Sequence, residues 1–309
     1  MASKTALEDR LVRYADLRPC YNAFIDTRTP GSEAKENFTI IGPGVSENPN
    51  QHVHIAEPHG FNIGGARQPP GCVNSQHSHD TAEVFLVHSG TWRFDMGEHG
   101  DDARVTLEAG DIISIPTGIF RGFTNVGDDT GYLFAILGED DPGRVTWAPK
   151  VFEMAKDYGL VLLETGRLID KEKGETVPDD VEIMPPPRAE DLASMKVISQ
   201  SEADALVWRA KVRSTGRTDV IIGPDGYFDW PHGFIVKRLG PSHKRPAYDE
   251  IRRDARVVFI QNGHAKITID DGSVDLSTGD TFSVPPSSKH RIEAEDGTIL
   301  LVVDRVRAS

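Results

Sequence analysis

From His52 to Val145 the apolar residues come in short runs with strand-like character, AEVFLVHSG, TWRFDM, ARVTLEAG, DIISIP and YLFAIL, separated by Gly, Pro and Asp turns. None is long enough for a typical helix, and the pattern predicts a small antiparallel barrel or sandwich. Helical spacing is confined to a few places. Leu7, Leu11 and Val12 in TALEDRLVRYADL predict a short amphipathic helix at the start of the chain. The segments VFEMAKDYG and SEADALVWRA predict two more, the second opened by a capping box from Ser201 to Asp204. Between them EKGETVPDDVEIMPPPRAED is polar and Pro-rich and reads as an interdomain linker. From Lys211 onward the strand-and-turn pattern returns. The expected division is an N-terminal helix and extended arm over 1–50, a barrel over 51–148, a helical and Pro-rich linker over 149–200 and a second barrel over 201–309.

The 29 Gly and 20 Pro in 309 residues suit many short strands and tight turns rather than a helical bundle. The length is about two domains' worth. A formal charge of -14 argues against nucleic acid or an anionic membrane as a partner, because phosphate contacts need clustered Lys and Arg. Cys20 and Cys72 are too few for a disulfide framework or a Cys-rich zinc site. No apolar run reaches 18 residues, so no membrane-spanning helix is expected. The opening MASKTALEDRLVRY has no apolar signal core, so a cytoplasmic protein is expected.

The two β-rich halves match. His59-Gly60-Phe61 recurs as His232-Gly233-Phe234, and Gly90 recurs at the same offset as Gly263. After a four-residue deletion Gly110-Asp111 recurs as Gly279-Asp280, Pro116 as Pro285, and Arg121 aligns with His290. Several anchors with one length change predict an internal duplication.

Candidate chemistry concentrates in GCVNSQHSHDTAEVFLVHSG. Residues two apart on a strand share a face, so His77 and His79 project together, and Glu83 returns on the next segment. Two neutral imidazoles and a carboxylate form the ligand set of a facial triad, which leaves open positions on Fe(II) or a similar divalent ion. By the same parity His88 faces away from Glu83 while Phe85 shares its side. Trp92, Phe94, Phe120 and Phe123 suit either an aromatic pocket or plain barrel filling. His52, His54 and His59 read as rim or outer histidines, since no carboxylate or Cys stands near them at ligand spacing. Cys72 has no nearby basic residue to lower its thiol pKa and reads as structural.

The spacing from Gly71 through His77, His79 and Glu83 to Gly90 resembles the first conserved motif of the cupin superfamily. GDIISIPTGIFRGFTN, with Gly110, Pro116, Gly118 and Asn125, resembles the second. The resemblance covers roughly residues 50 to 140 and, through the repeat, about 215 to 305. It implies an all-β fold of duplicated cupin barrels (double-stranded β-helix, or jelly-roll) with a few short helices, that is, a bicupin. It also implies paired barrels, supplied either by a homo-oligomer or by one chain internally. Function is less fixed, because cupins include dioxygenases, decarboxylases, isomerases, lyases, storage proteins and sugar-binding regulators.

One departure stands out. Where cupins usually supply a third metal-binding His, this chain has Arg121, which has no acceptor and stays protonated. Two roles are open to it: binding a substrate anion at the metal, or neutralising Glu83 in a metal-free site. In the second half the repeat aligns His77, His79 and Glu83 with Glu250, Arg252 and Arg256, leaving only His290 at a ligand position. A structural second barrel without metal is expected. The other reading is an anion site of His243, Lys244, Arg245, Arg252 and Arg253.

The expected function is a metal-dependent oxygenase, dioxygenase-like, acting on a small anionic substrate, with aromatic ones among the candidates. His77, His79 and Glu83 hold the metal, Fe(II) first, with Mn, Ni, Zn or Co as alternatives. Arg121 is the expected catalytic residue, orienting the substrate. The alternatives are a redox-neutral lyase, isomerase or decarboxylase, and a non-catalytic binder of small carboxylates.

Overall fold

The structure is a computed structural model, and it describes residues 7–215, 218–229, 233–241, 248–270 and 272–306. The chain folds into mostly antiparallel β-structure arranged as two barrels. In the first, a seven-stranded sheet faces a five-stranded one. The large sheet runs in the order Val207–Trp208, Ile112–Ile115, Glu83–Ser89, Gly131–Gly138, Phe61–Gln68, Glu36–Ile41, Val53–Ile55. The small sheet runs Val145–Trp147, Val73–His79, Arg121–Asn125, Thr91–Met96, Ala103–Glu108. The second barrel pairs a six-stranded sheet with a four-stranded one.

The strand Gly131–Gly138 explains why YLFAIL is apolar without alternation: every residue in it is buried. Leu133 and Ala135 point into the first barrel, with Phe85, Phe94 and Phe123. Tyr132, Phe134 and Ile136 point the other way, into a core shared with Phe234, Val257, Phe259 and Leu301 of the second barrel. Phe134 and Phe259 stack there with ring centroids 4.2 Å apart.

Two expectations about helices need correction. The amphipathic helix expected over TALEDRLVRYADL does not continue past Glu8: Leu7 and Glu8 are helical, and after them stand a two-residue strand, Leu11–Val12, and a 3-10 turn, Tyr14–Asp16; residues 1–6 lie outside the described residues. Leu11 and Val12 are turned inward by the second barrel and the shared core rather than by a helix, and Leu7 joins them from the helical turn before them. The capping box sits two residues earlier than Ser201–Asp204. It joins Ser199 and Glu202 and opens a helix that ends at Ala205. The chain then becomes the strand Val207–Trp208, so SEADALVWRA is not one helix. The helix Pro149–Asp157 does form, with Pro at its first turn. It packs with Ile25, Phe120 and Trp147 against the first barrel, so the segment after 149 is not a free linker.

Each barrel takes an edge strand from the far part of the chain. Leu11–Val12 pairs with Thr281–Val284 of the second barrel, and Val207–Trp208 pairs with Ile112–Ile115 of the first. The same lock secures both. Asp111 accepts from the backbone N–H of Glu108 and of Ala210 and holds Arg209 at 3.0 Å. Asp280 accepts from the N–H of Ser277 and of Tyr14 and holds Arg13 at 3.2 Å. These are the aspartates of the matching Gly110-Asp111 and Gly279-Asp280 pairs; His232 of the repeat lies outside the described residues.

His88 faces this junction, against Tyr14, Tyr132 and Phe259. Burial pushes its pKa down to about 4. An unfolded His titrates near ~6.5, so between those values the unfolded chain binds more protons and stability falls as pH falls. Urea unfolding at pH 7 and pH 5 should show the native protein losing about 1–2 kcal/mol more than His88→Leu. Parallel losses would remove His88 as the cause.

Candidate metal centre

The candidate ligands come from both sheets of the first barrel. His77 and His79 lie on Val73–His79 of the small sheet, and Glu83 opens Glu83–Ser89 of the large one. All three are buried, and their donor atoms lie within 4.8 Å of one another. They border a cavity of about 70 Å³, with room for a few water-sized groups. Its wall includes Phe38, Phe85, Phe123, Leu137 and Trp147, with the amides of Asn62 and Asn74.

The donors suit a divalent ion. His77 Nδ1 lies 2.7 Å from the Ser75 carbonyl, which fixes the proton there and leaves Nε2 as a lone pair. Burial and the nearby Arg121 charge hold both imidazoles well below the usual histidine range, in the neutral form that binds metal. His79 Nε2 stands 3.5 Å from Glu83 Oε2, while its buried Nδ1 has no partner among the described residues. Nitrogen and carboxylate ligands sit about 2 Å from such an ion, so this spacing allows all three to reach one centre.

Arg121 is directly opposite His77 on the neighbouring strand. It is 1% exposed. Its Nη2 donates to Glu83 Oε2 at 2.5 Å and its Nη1 to the His77 carbonyl at 3.3 Å. Burial holds the Glu83 carboxyl above its ordinary value, and the Arg121 charge offsets only part of that rise. Of the two roles open to Arg121, the pairing with Glu83 is the one displayed; the guanidinium stands behind the carboxylate rather than on the cavity wall.

The remaining candidates separate clearly. Phe85 and Phe123 face the cavity, Trp92 and Phe94 fill the barrel, and Phe120 packs outside it against the helix Pro149–Asp157. Asn125 caps a turn, bonding Gln68, Gly127 and Asp129. His59 bridges to Ser283 of the second barrel at 2.7 Å. His52 and His54 touch edge to face, with no third donor among the described residues. Cys72 is buried, and burial raises its thiol. In the second barrel Arg256 pairs with Asp304 at 2.7 Å and approaches His290 Nε2 at 3.0 Å, while Arg252 reaches Asp304 at 3.3 Å. His243, Lys244 and Arg245 lie outside the described residues. Sequence reasoning missed Trp147, whose ring lies 5.2 Å from that of His77. The alternation in VTW was the only signal for it.

The family described as "Cupin domain" matches residues 66–137. Acireductone dioxygenase from Phaeosphaeria nodorum is 37% identical over 76 residues, 24% of this chain and 41% of that protein. Germin-like protein subfamily 1 member 10 from Arabidopsis thaliana is 32% identical over 83 residues, 26% of this chain and 37% of that protein. The chain thus spans about two fifths of the length of these relatives. Solved structures cover far more of it at low identity. YhhW from Escherichia coli superposes with a TM-score of 0.55 at 12% identity, over 96% of this chain and 97% of that one. A mutant oxalate decarboxylase from Bacillus subtilis gives 0.52 at 12% identity, over 97% and 78%. These two likenesses concern the fold.

Metal content tests the donor set. His79→Ala should bind no divalent metal at stoichiometric concentrations. Arg121→His should bind it about 10–100-fold more tightly than the native chain, since it removes a cation and adds an imidazole. Dialysis against Co(II) with elemental analysis reads both, and an Arg121→His protein that binds no tighter would contradict this account of Arg121. Motif, barrel and donor cluster agree: residues 66–137 form a cupin domain, with a candidate divalent-metal centre in the first barrel.

Proposed function

We propose that this protein is a metal-dependent cupin oxygenase of the dioxygenase kind, using Fe(II), with a small anionic substrate carrying an apolar or aromatic part. The observation that carries the reading is the convergence of His77, His79 and Glu83 on a buried cavity with an aromatic wall. The similarity of part of the chain to acireductone dioxygenases supports it. When bound, Fe(II) in this ligand class would supply open positions for substrate and a one-electron couple through which the substrate's own electrons reach O2.

The chain's own residues argue for an anion. Neutral His77 and His79 contribute no charge, and Glu83 and Arg121 cancel. The full charge of a divalent ion is then left over, and an anionic substrate would compensate it in this low-dielectric site. Arg121 acts from behind Glu83, holding it ionised and adding positive potential toward the cavity. Phe85, Phe123 and Trp147 exclude water and favour a flat apolar body, while Asn74, whose Oδ1 accepts from Gln68, has its amide nitrogen to offer. The twin aspartate locks support a duplicated barrel, so the pairing common among cupins can be met within one chain. A cytoplasmic setting fits the reading. No helix among the described residues is long and apolar enough to cross a membrane.

The test is oxygen uptake. Protein purified without a nickel column and loaded with Fe(II) under argon should consume O2 with a panel of catechols, enediols and small keto acids. His79→Ala should abolish uptake. Equal turnover under argon would replace the oxygenase with a redox-neutral enzyme, and tight binding without turnover would leave a binding protein.

A further inference from the structure

The strand that carries both histidines is irregular just before them. Arg121 faces His77 and Phe123 faces Asn74, so Ser75 and Gln76 together oppose the single residue Gly122. This is a bulge, a device that re-aims side chains beside active sites. It requires Gly122, because a Cβ there would lie 2.8 Å from the Asn74 carbonyl and collide with the Gln76 side chain. Gln76 is tied down by its own amide, which donates to the carbonyls of Asp95 at 2.9 Å and Gly97 at 2.7 Å.

Ser75 falls at the irregular step of the ladder, and two side chains take up its peptide groups. Its N–H donates to Asp26 Oδ2 at 3.0 Å, and its carbonyl accepts from His77 Nδ1 at 2.7 Å. Asp26 in turn pairs with Lys35, and both side chains are 0% exposed. The same arm surrounds His77 by a second route: Lys35 lies over the Phe24 ring, Phe24 meets Trp147, and Trp147 meets His77. A fully buried ion pair is a costly way to stabilise a fold, since apolar residues of similar volume often do as well. A role in fixing geometry accounts for it better.

We propose that the Asp26–Lys35 pair is a positioning device for the metal centre. Lys35 orients the Asp26 carboxylate, Asp26 anchors the Ser75 peptide at the bulge, and the Ser75 carbonyl holds the His77 ring with its proton on Nδ1 and its Nε2 lone pair toward the cavity. The inference rests on His77 being a metal ligand. Asp26 and Lys35 are then positioning residues contributed by the N-terminal arm, outside both motifs that mark the barrel.

Two double variants separate positioning from packing. Asp26→Asn with Lys35→Met removes both charges and keeps an acceptor for the Ser75 N–H. Asp26→Leu with Lys35→Met removes the acceptor as well. Co(II) affinity, measured by chelator competition, should stay within about threefold of native in the first and fall about 10–100-fold in the second. In metal-free protein, 15N spectra of the His77 ring should report the Nδ1–H form in the native chain and the first variant, and a tautomer mixture in the second. Thermal unfolding of the metal-free proteins keeps the comparison to variants that fold. If the second variant does not fold, Asp26→Ser with Lys35→Met, whose shorter side chain cannot reach Ser75, takes its place with the same expected loss. Native affinity and a native His77 tautomer in the acceptor-less variant would overturn the proposal, as would equal losses in both variants. Failure of the native chain to bind Co(II) would instead overturn the metal-centre reading on which it rests.

Discussion

A carboxylate set in the wall of an apolar barrel stays ionised only if a cation stands against it. The first barrel meets that constraint with Arg121, buried beside Glu83 and opposite His77 on the next strand. Around this pair the other choices follow. The imidazoles are neutral, because a third charge in the same space would go unpaired. The candidate ligands are divided between two sheets, so the distance between sheets sets the distance between donors. The aromatic wall keeps out the water that would screen the pair.

The donor trio was legible because its spacing is local: a strand's two-residue parity and a short turn bring His77, His79 and Glu83 together without help from the rest of the fold. Arg121 was legible as a departure, though its partner was not, since nothing in RGFTN says which carboxylate it meets. The barrel pattern was legible for the same reason as the trio. What stayed hidden is tertiary. Asp26, Lys35 and Trp147 lie far from the motif in sequence and reach it only when the arm wraps the barrel. Leu11–Val12 is too short for any periodicity, and its apolar residues mimic one turn of helix. The bulge at Ser75 has one local sign, the isolated Gly122 in RGFTN, which does not say which residues of the neighbouring strand it will face.

The two barrels show what one architecture can do with the same places. In the first, a ring of donors surrounds a cavity. In the second, Arg256, Arg252, His290 and Asp304 occupy the matching region as an ion network. Opposite charges that satisfy each other stand where the first barrel has its His-His-Glu cluster, and the strands around them differ little in order. The barrel supplies positions, and the side chains decide whether those positions bind or brace.

The exchanged edge strands make the molecule a handshake rather than two beads on a string. A cut anywhere in the stretch between residues 171 and 199 would leave each fragment holding the other's missing strand: the first half would keep Leu11–Val12, which belongs to its partner, and the second would keep Val207–Trp208. Such fragments are complementary by construction. Each half would present an unfilled sheet edge until it met the other, so the continuous chain can be viewed as a reciprocal complex whose two members were tethered.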